Sequence, residues 1–185
     1  MASSFGPSAL ATPANAVTGF RVLLTPVLLL SILEVGASWS GLALWIVLAA
    51  TDGVDGYLAR RQGTTRSGAF LDPLADKLLV IGALVCLVVD GIFWWVPVAI
   101  IAVREVAMSI YRSLAARQGV SIPARTSAKA KTVVQAVAVG LALAPLIADD
   151  VSWLPSFVLW AAVVLTVVSG TQYLLDARRS APLAL

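Results

Sequence analysis

Histidine is absent from this 185-residue chain. Any proton transfer it performs must run through a carboxylate, lysine, tyrosine or water, and no metal site in it can use imidazole. Cysteine is nearly absent as well: Cys86 stands alone in an apolar run, so an intrachain disulfide is excluded and inert packing is its expected role. Charge is scarce, at 12% of residues against the roughly 25% of ordinary soluble domains. What is plentiful is apolar surface, with 59% hydrophobic residues and a mean hydropathy of +0.92. So few polar residues cannot cover a water-soluble globule. A soluble domain, a nucleic-acid binder and a disordered chain are all excluded, and the net charge of +3 marks a membrane face rather than a nucleic-acid partner. The chain reads as an integral membrane protein.

Met1 to Pro13 are mostly small, polar or proline residues without a basic start, and read as a short tail rather than a cleaved signal. Six apolar stretches follow, each within the roughly 17–25 residues that a spanning helix needs. They run from about Ala16 to Leu33, Ala37 to Leu58, Leu71 to Val89, Ile92 to Leu114, Thr132 to Ala148 and Trp153 to Leu175. The domain expectation is one catalytic unit over 14–177, flanked by tails 1–13 and 178–185. Arg60, Arg61 and Arg66 follow the second stretch, Arg117, Arg125, Lys129 and Lys131 the fourth, and Arg178 and Arg179 the sixth. The alternate connections hold only the acids Glu34, Asp90, Asp149 and Asp150, with Trp39, Trp94, Trp95 and Trp153 nearby as an aromatic belt. The positive-inside rule then puts both termini in the cytoplasm. The expected fold is all-α, with six transmembrane helices.

An ionisable residue inside a span is costly and points to function. Asp52 and Asp55 are three apart, and Asp72 and Asp76 four apart, so each pair shares a helix face. They sit at the end of the second stretch and the start of the third, joined by a short loop. Four carboxylates gathered in low dielectric repel unless cations lie between them, and two divalent ions offset their charge. All-oxygen ligation suits Mg²⁺ or Mn²⁺, and two such ions form a clamp for phosphoryl chemistry. Gly56 beside Asp55, and Gly68 at the end of the loop, leave room for a phosphate to approach the backbone. Taken singly, any of these aspartates also reads as a helix cap, and Asp72-Pro73 suits that role well. Four at these spacings with glycines between them do not.

The run Asp52-x2-Asp55-Gly56-x2-Ala59-Arg60-x7-Gly68-x3-Asp72-x3-Asp76 resembles the signature of the CDP-alcohol phosphatidyltransferases. These membrane enzymes displace CMP from a CDP-linked lipid or alcohol with an acceptor hydroxyl. The stretch before Gly68 is one residue shorter than in many members. The resemblance implies a six-helix bundle with its site at the cytoplasmic side, and homodimerisation as a family expectation. It implies that Asp52, Asp55, Asp72 and Asp76 bind two divalent cations, and that Asp76 is the general base. Gly56 and Ala59 would pack against the cytidine nucleotide, Arg60 and Arg66 would approach the pyrophosphate, and Asn15 and Gly68 complete the donor side.

Further matches narrow the branch. Asn15 to Arg21, Leu71 to Lys77, Arg104-Glu105-Val106 and Lys129 to Thr132 resemble the phosphatidylglycerophosphate synthases. That branch implies CDP-diacylglycerol as donor and sn-glycerol 3-phosphate as acceptor. A dianionic acceptor needs cations near the metals, and Arg104, Arg112, Lys129 and Lys131 can supply them, with Arg21 added by resemblance. Arg104 lies too deep to snorkel, so a buried phosphate or carboxylate partner is expected for it. Glu105 is expected to face away from Arg104 and to pair elsewhere, with Arg21 as a candidate. Arg117, Arg178 and Arg179 read as anchors to lipid headgroups.

Rivals within the family are a cardiolipin synthase and a phosphatidylinositol-phosphate synthase. From another class, a divalent-cation or proton transporter also carries intramembrane aspartates, but it predicts acids spread through the midplane. Here they crowd one face. An intramembrane aspartyl protease needs one dyad, not four carboxylates.

Overall fold

The computed structural model describes residues 13–62, 68–117 and 126–180, with side chains over 16–51, 74–115, 130–148 and 150–173. The described residues form seven helices: α1 Pro13–Val35, α2 Trp39–Gln62, α3 Gly68–Val89, α4 Trp95–Arg117, α5 Thr126–Leu143, α6 Pro145–Asp150 and α7 Trp153–Ser180. No strand occurs among them. Long apolar runs leave the backbone polar groups no partners but each other, and the helix satisfies them within one segment.

The expected fifth stretch is corrected. Drawn as one span from Thr132 to Ala148, it begins earlier, at Thr126, and divides at Ala144-Pro145 into α5 and the six-residue α6. Proline disfavours helical backbone in the residue before it, and Ala144 is accordingly extended (φ −77°, ψ 112°). On length and composition alone, two described segments suffice to cross a membrane, Ala16–Val35 and Trp153–Tyr173. Trp39–Thr51 and Ala130–Leu143 are shorter apolar segments. Among the remaining helices, α3 carries Asp72, Asp76 and Lys77, and α4 carries Arg104, Glu105 and Arg112.

Sharp turns join the helices at one end of the bundle. Gly36 (φ 71°) and Gly91 (φ 83°) take the left-handed backbone that ends α1 and α3. Ser38 caps α2, its Oγ accepting from the Gly41 amide at 3.2 Å. The Asp90 carboxylate closes over Gly36, where a Cβ would lie 3.3 Å from Oδ2, so the two turns meet. Trp94 reaches Trp160 of α7, with ring centroids 6.4 Å apart, and brings the third turn to the same end. Trp39, Trp94, Trp95 and Trp153 are all exposed there.

α1 packs along both α2 and α3, α5 packs most extensively on α7, and α7 also carries α4. α5 touches α2 and α3 and closes the bundle. Ala138 and Ala142 on α5 and Ala162 on α7 are fully buried, the small residues that let membrane helices approach closely. Leu28, Ile32, Leu48, Leu84 and Ile101 fill the core. Outward-facing Leu23, Val103 and Val164 would be a liability in water and suit a lipid surround.

Gly82 of α3 lies against Leu29 of α1, where a Cβ would stand 3.0 Å from one methyl and 3.2 Å from the other. Gly82→Ile is expected to force the helices apart. Overpacking of this kind costs about 1–3 kcal/mol, a drop of about 3–10 °C in thermal midpoint in detergent for a chain this size. An unchanged midpoint would count against this α1–α3 contact.

Candidate active site

The signature residues fall on two helices with common neighbours. Asp52 and Asp55 lie on α2, and Asp72 and Asp76 on α3. α1 and α5 each pack against both helices. The side chains of Asp52, Asp55 and Asp72 lie outside the described residues, as do those of Asn15, Ala59, Arg60 and Lys129. Gly56 and Gly68 fall on α2 and α3 at positions not described beyond the helix, and Arg66 lies outside the description altogether.

Asp76 is described and half-buried. It borders a cleft of about 130 Å³ between α2, α3 and α5, whose other walls include Trp45, Ala49, Val80, Thr132 and Ala136. Trp45 is fixed across that cleft, its Nε1 donating to the Ala136 carbonyl at 3.1 Å. Six residues further along α2, Thr51 donates to the Leu48 carbonyl at 2.7 Å, just before Asp52. A set of four carboxylates on α2 and α3 offers only oxygen donors, which fits a hard divalent cation.

The second half of the site is cationic and comes from α3, α4 and α5, braced by α7. Arg104 donates through Nη1 to Glu105 Oε1 at 3.2 Å and through Nη2 to Ser169 Oγ at 2.8 Å. Lys131 forms an ion pair with the same Glu105 oxygen. Lys77 donates to Ser109, which donates to the Glu105 carbonyl at 2.6 Å. Arg112, Asp76 and Arg104 lie within electrostatic range of Lys77, and Arg104, Lys77 and Asp76 within range of Lys131. Arg112 is exposed, yet its Nη2 donates to the Tyr173 hydroxyl at 2.9 Å and its guanidinium lies 5.4 Å from that ring's centroid. Arg21 is fully buried on α1, the helix that packs on both aspartate-bearing helices, and Thr25 donates to its carbonyl at 2.7 Å.

One expectation is overturned here. Glu105 does not turn away from Arg104, because adjacent positions are separated at the Cβ and the long arginine side chain folds back to reach the carboxylate. Its partners are Arg104 and Lys131. The buried carboxylate partner expected for Arg104 is therefore its own neighbour.

Sequence reading also passed over the α7 residues that orient the cations. Ser169 holds Arg104 and Tyr173 holds Arg112, four residues apart on one helix face. Thr166, a turn earlier, accepts from Gln135 of α5 at 3.4 Å and through its carbonyl from Ser169 at 3.0 Å. Gly170 keeps space beside Arg104, with a Cβ there 3.7 Å from Nε. The signal was present as the spacing of Thr166, Ser169 and Tyr173, which puts three polar groups on one face of a mostly apolar helix.

Paired carboxylate positions on α2 and α3, with the cations Lys77, Arg104 and Lys131 gathered around Glu105, are an arrangement suited to phosphates. Comparison with known proteins gives it a lineage: residues 11–168 match the family model for CDP-alcohol phosphatidyltransferase. The chain belongs to the CDP-alcohol phosphatidyltransferase family. Family membership makes it a membrane protein whose chemistry uses divalent cations. A protein of Mycobacterium tuberculosis (strain H37Rv) named probable phosphatidylglycerophosphate synthase is 40% identical over 181 residues, covering 94% of this chain and 85% of its own. The CDP-diacylglycerol–glycerol-3-phosphate 3-phosphatidyltransferase of Bacillus subtilis (strain 168) is 38% identical, covering 86% of this chain and 91% of its own. The protein of the same name from Escherichia coli (strain K12) is 39% identical, covering 88% and 92%.

Proposed function

We propose that this CDP-alcohol phosphatidyltransferase transfers the phosphatidyl group of CDP-diacylglycerol to sn-glycerol 3-phosphate, forming phosphatidylglycerophosphate and releasing CMP in phospholipid biosynthesis. Relatives bearing that activity in their names match nearly the whole chain at about 40% identity. The observation that carries a phosphorylated acceptor is the cation cluster on α3, α4 and α5, and the relatives' names narrow it to glycerol 3-phosphate. Among the described side chains, Lys77, Arg104 and Lys131 gather about one carboxylate, Glu105, an excess of positive charge. That excess suits a phosphate monoester better than serine, which brings no net charge, or phosphatidylglycerol, which brings one negative charge.

The acceptor hydroxyl attacks the donor's β-phosphorus, the new P–O bond forms, and the bond to CMP's phosphate oxygen breaks. Asp76 accepts the hydroxyl proton, a part that the family resemblance gives to this aspartate and that no histidine is present to take. Asp52, Asp55, Asp72 and Asp76 would hold two divalent cations, Mg²⁺ or Mn²⁺, which supply charge neutralisation for the pyrophosphate and the departing CMP. Arg104, Arg112, Lys129 and Lys131 grip the acceptor phosphate, with Arg21 reaching it from α1. Asn15, Gly56, Ala59, Arg60, Arg66 and Gly68 cradle the nucleotide end of the donor. Catalysis is then mainly positioning and electrostatics.

The wider reading follows from the same residues. The six long helices span the cytoplasmic membrane, both termini face the cytoplasm, and residues 14–177 form the catalytic unit between tails 1–13 and 178–185. The site opens to the cytoplasm for the nucleotide and sideways to lipid for the acyl tails. Homodimerisation follows family expectation.

The test is CMP release by purified protein in detergent with CDP-diacylglycerol and Mg²⁺ or Mn²⁺. Glycerol 3-phosphate, inositol 1-phosphate, phosphatidylglycerol and serine are supplied separately. Release with glycerol 3-phosphate alone is expected. Release with another acceptor keeps the mechanism and overturns the branch, and no release from folded protein overturns the enzyme reading.

A further inference from the structure

Glu105 is the one acid on α4, and the proposed chemistry gives it no role. Its carboxylate nevertheless occupies a strategic place. One oxygen, Oε1, takes both Arg104 Nη1 and Lys131 Nζ. Its own backbone carbonyl anchors Ser109, and through Ser109 the third cation, Lys77. The side chain is only 14% exposed, where a lone carboxylate would be costly.

The helices it joins are not otherwise close partners. Both α4 and α5 pack on α7, and no extensive contact between α4 and α5 occurs among the described residues. The Glu105–Lys131 pair bridges that gap. Arg104 is held at its other nitrogen by Ser169 of α7, so a single carboxylate fixes the distance between an arginine of one helix and a lysine of another. Without it, two buried cations repel and each turns toward other acids, with Asp76 close enough to act on Lys131.

We infer that Glu105 is a positioning residue of the acceptor pocket, holding Arg104 and Lys131 in register for one phosphate group. The inference rests on the acceptor reading above. The carboxylate accepts one N–H from each cation and leaves donors on both: Arg has five N–H groups and Lys three. A phosphate entering the pocket therefore meets two cations already set apart at fixed spacing, and the acceptor need not supply the work of gathering them. The role is distinct from that of a ligand, since a carboxylate does not itself bind a phosphate dianion.

The test is steady-state kinetics with both substrates varied, on protein whose thermal midpoint is checked. E105Q keeps the shape and removes the charge. Its KM for glycerol 3-phosphate is expected to rise about tenfold to a hundredfold, by analogy with the loss seen when the hydrogen-bonding partner of a metal ligand is removed. Its KM for CDP-diacylglycerol should stay unchanged and its kcat stay within about threefold, the pattern of lost binding rather than lost chemistry. E105D keeps the charge at shorter reach and should show a smaller rise, about threefold, again confined to the acceptor. That variant carries the test alone if E105Q does not fold.

An unchanged or lowered acceptor KM in the folded variants overturns the inference, the lowered value because it would make Glu105 a competitor of the phosphate. A rise shared equally by donor and acceptor overturns it too, in favour of a general structural role. Arg104→Ala separates the two levels. If it raises the glycerol 3-phosphate KM while E105Q does not, only the role of Glu105 fails. If Arg104→Ala leaves the acceptor KM unchanged, the acceptor reading itself fails.

Discussion

Asp76→Asn abolishes CMP release at saturating donor and acceptor, lowering kcat by at least about 10³-fold. General-base catalysis alone contributes about 10²–10⁴-fold, and this residue is also proposed to ligate metal. The substitution preserves size and hydrogen-bonding shape while removing the charge and the basic oxygen. No described neighbour can take over. Glu105 is engaged by Arg104 and Lys131, and Lys131 and Lys77 are held in turn by Glu105 and Ser109. Because Asp76 is half-buried at the edge of a cleft rather than packed in the core, the variant should keep the thermal midpoint of the metal-free wild type within a few degrees. The measurement is single-turnover CMP release with both substrates saturating. A residual rate above one-tenth of wild type, in folded protein, would remove Asp76 from the role of base.

Much of this architecture could be read before any coordinates. Continuous apolar runs announce helices, and charges inside them announce a site, because lipid makes both statements nearly compulsory. The spacings within Asp52/Asp55 and Asp72/Asp76 survive as positions on α2 and α3, because i, i+3 and i, i+4 relations are local. Relations between helices were far less legible. A helix that is apolar all round has no amphipathic stripe to reveal its rotation about its own axis. Nothing in one segment therefore told that Ser169 and Tyr173 face α4, or that Glu105 meets Lys131. The break before Pro145 was legible in principle, since proline restricts the residue ahead of it, but hydropathy alone runs straight across it. Glu105 shows the limit in another way. Cβ spacing says that positions 104 and 105 diverge, and side-chain length overrides it.

Chelation of divalent cations should reduce transfer to below about one-thousandth of its rate, since losing a catalytic metal removes several kcal/mol of charge stabilisation. Readdition of Mg²⁺ or Mn²⁺ should restore it. The expectation rests on four aspartates paired at helical spacing on α2 and α3, a set with only oxygen donors and no histidine or clustered cysteine to favour zinc. Asp52→Asn and Asp55→Asn should reproduce the loss and resist rescue by added metal at ordinary concentration. A second readout separates metal binding from chemistry. Ions that bind only the folded chain stabilise it by about 2.7 kcal/mol at ~100-fold over their Kd, a gain of about 5–10 °C for a protein of this length. Chelation should therefore lower the thermal midpoint of the wild-type protein by that amount, and the two asparagine variants should lose most of the response, because fewer carboxylates then repel in the absence of metal and fewer bind it when present. A midpoint that falls on chelation while transfer continues would make the carboxylates a structural metal site. Transfer and midpoint both indifferent to chelation would sink the di-metal reading, and with it the reason for four acids at these positions.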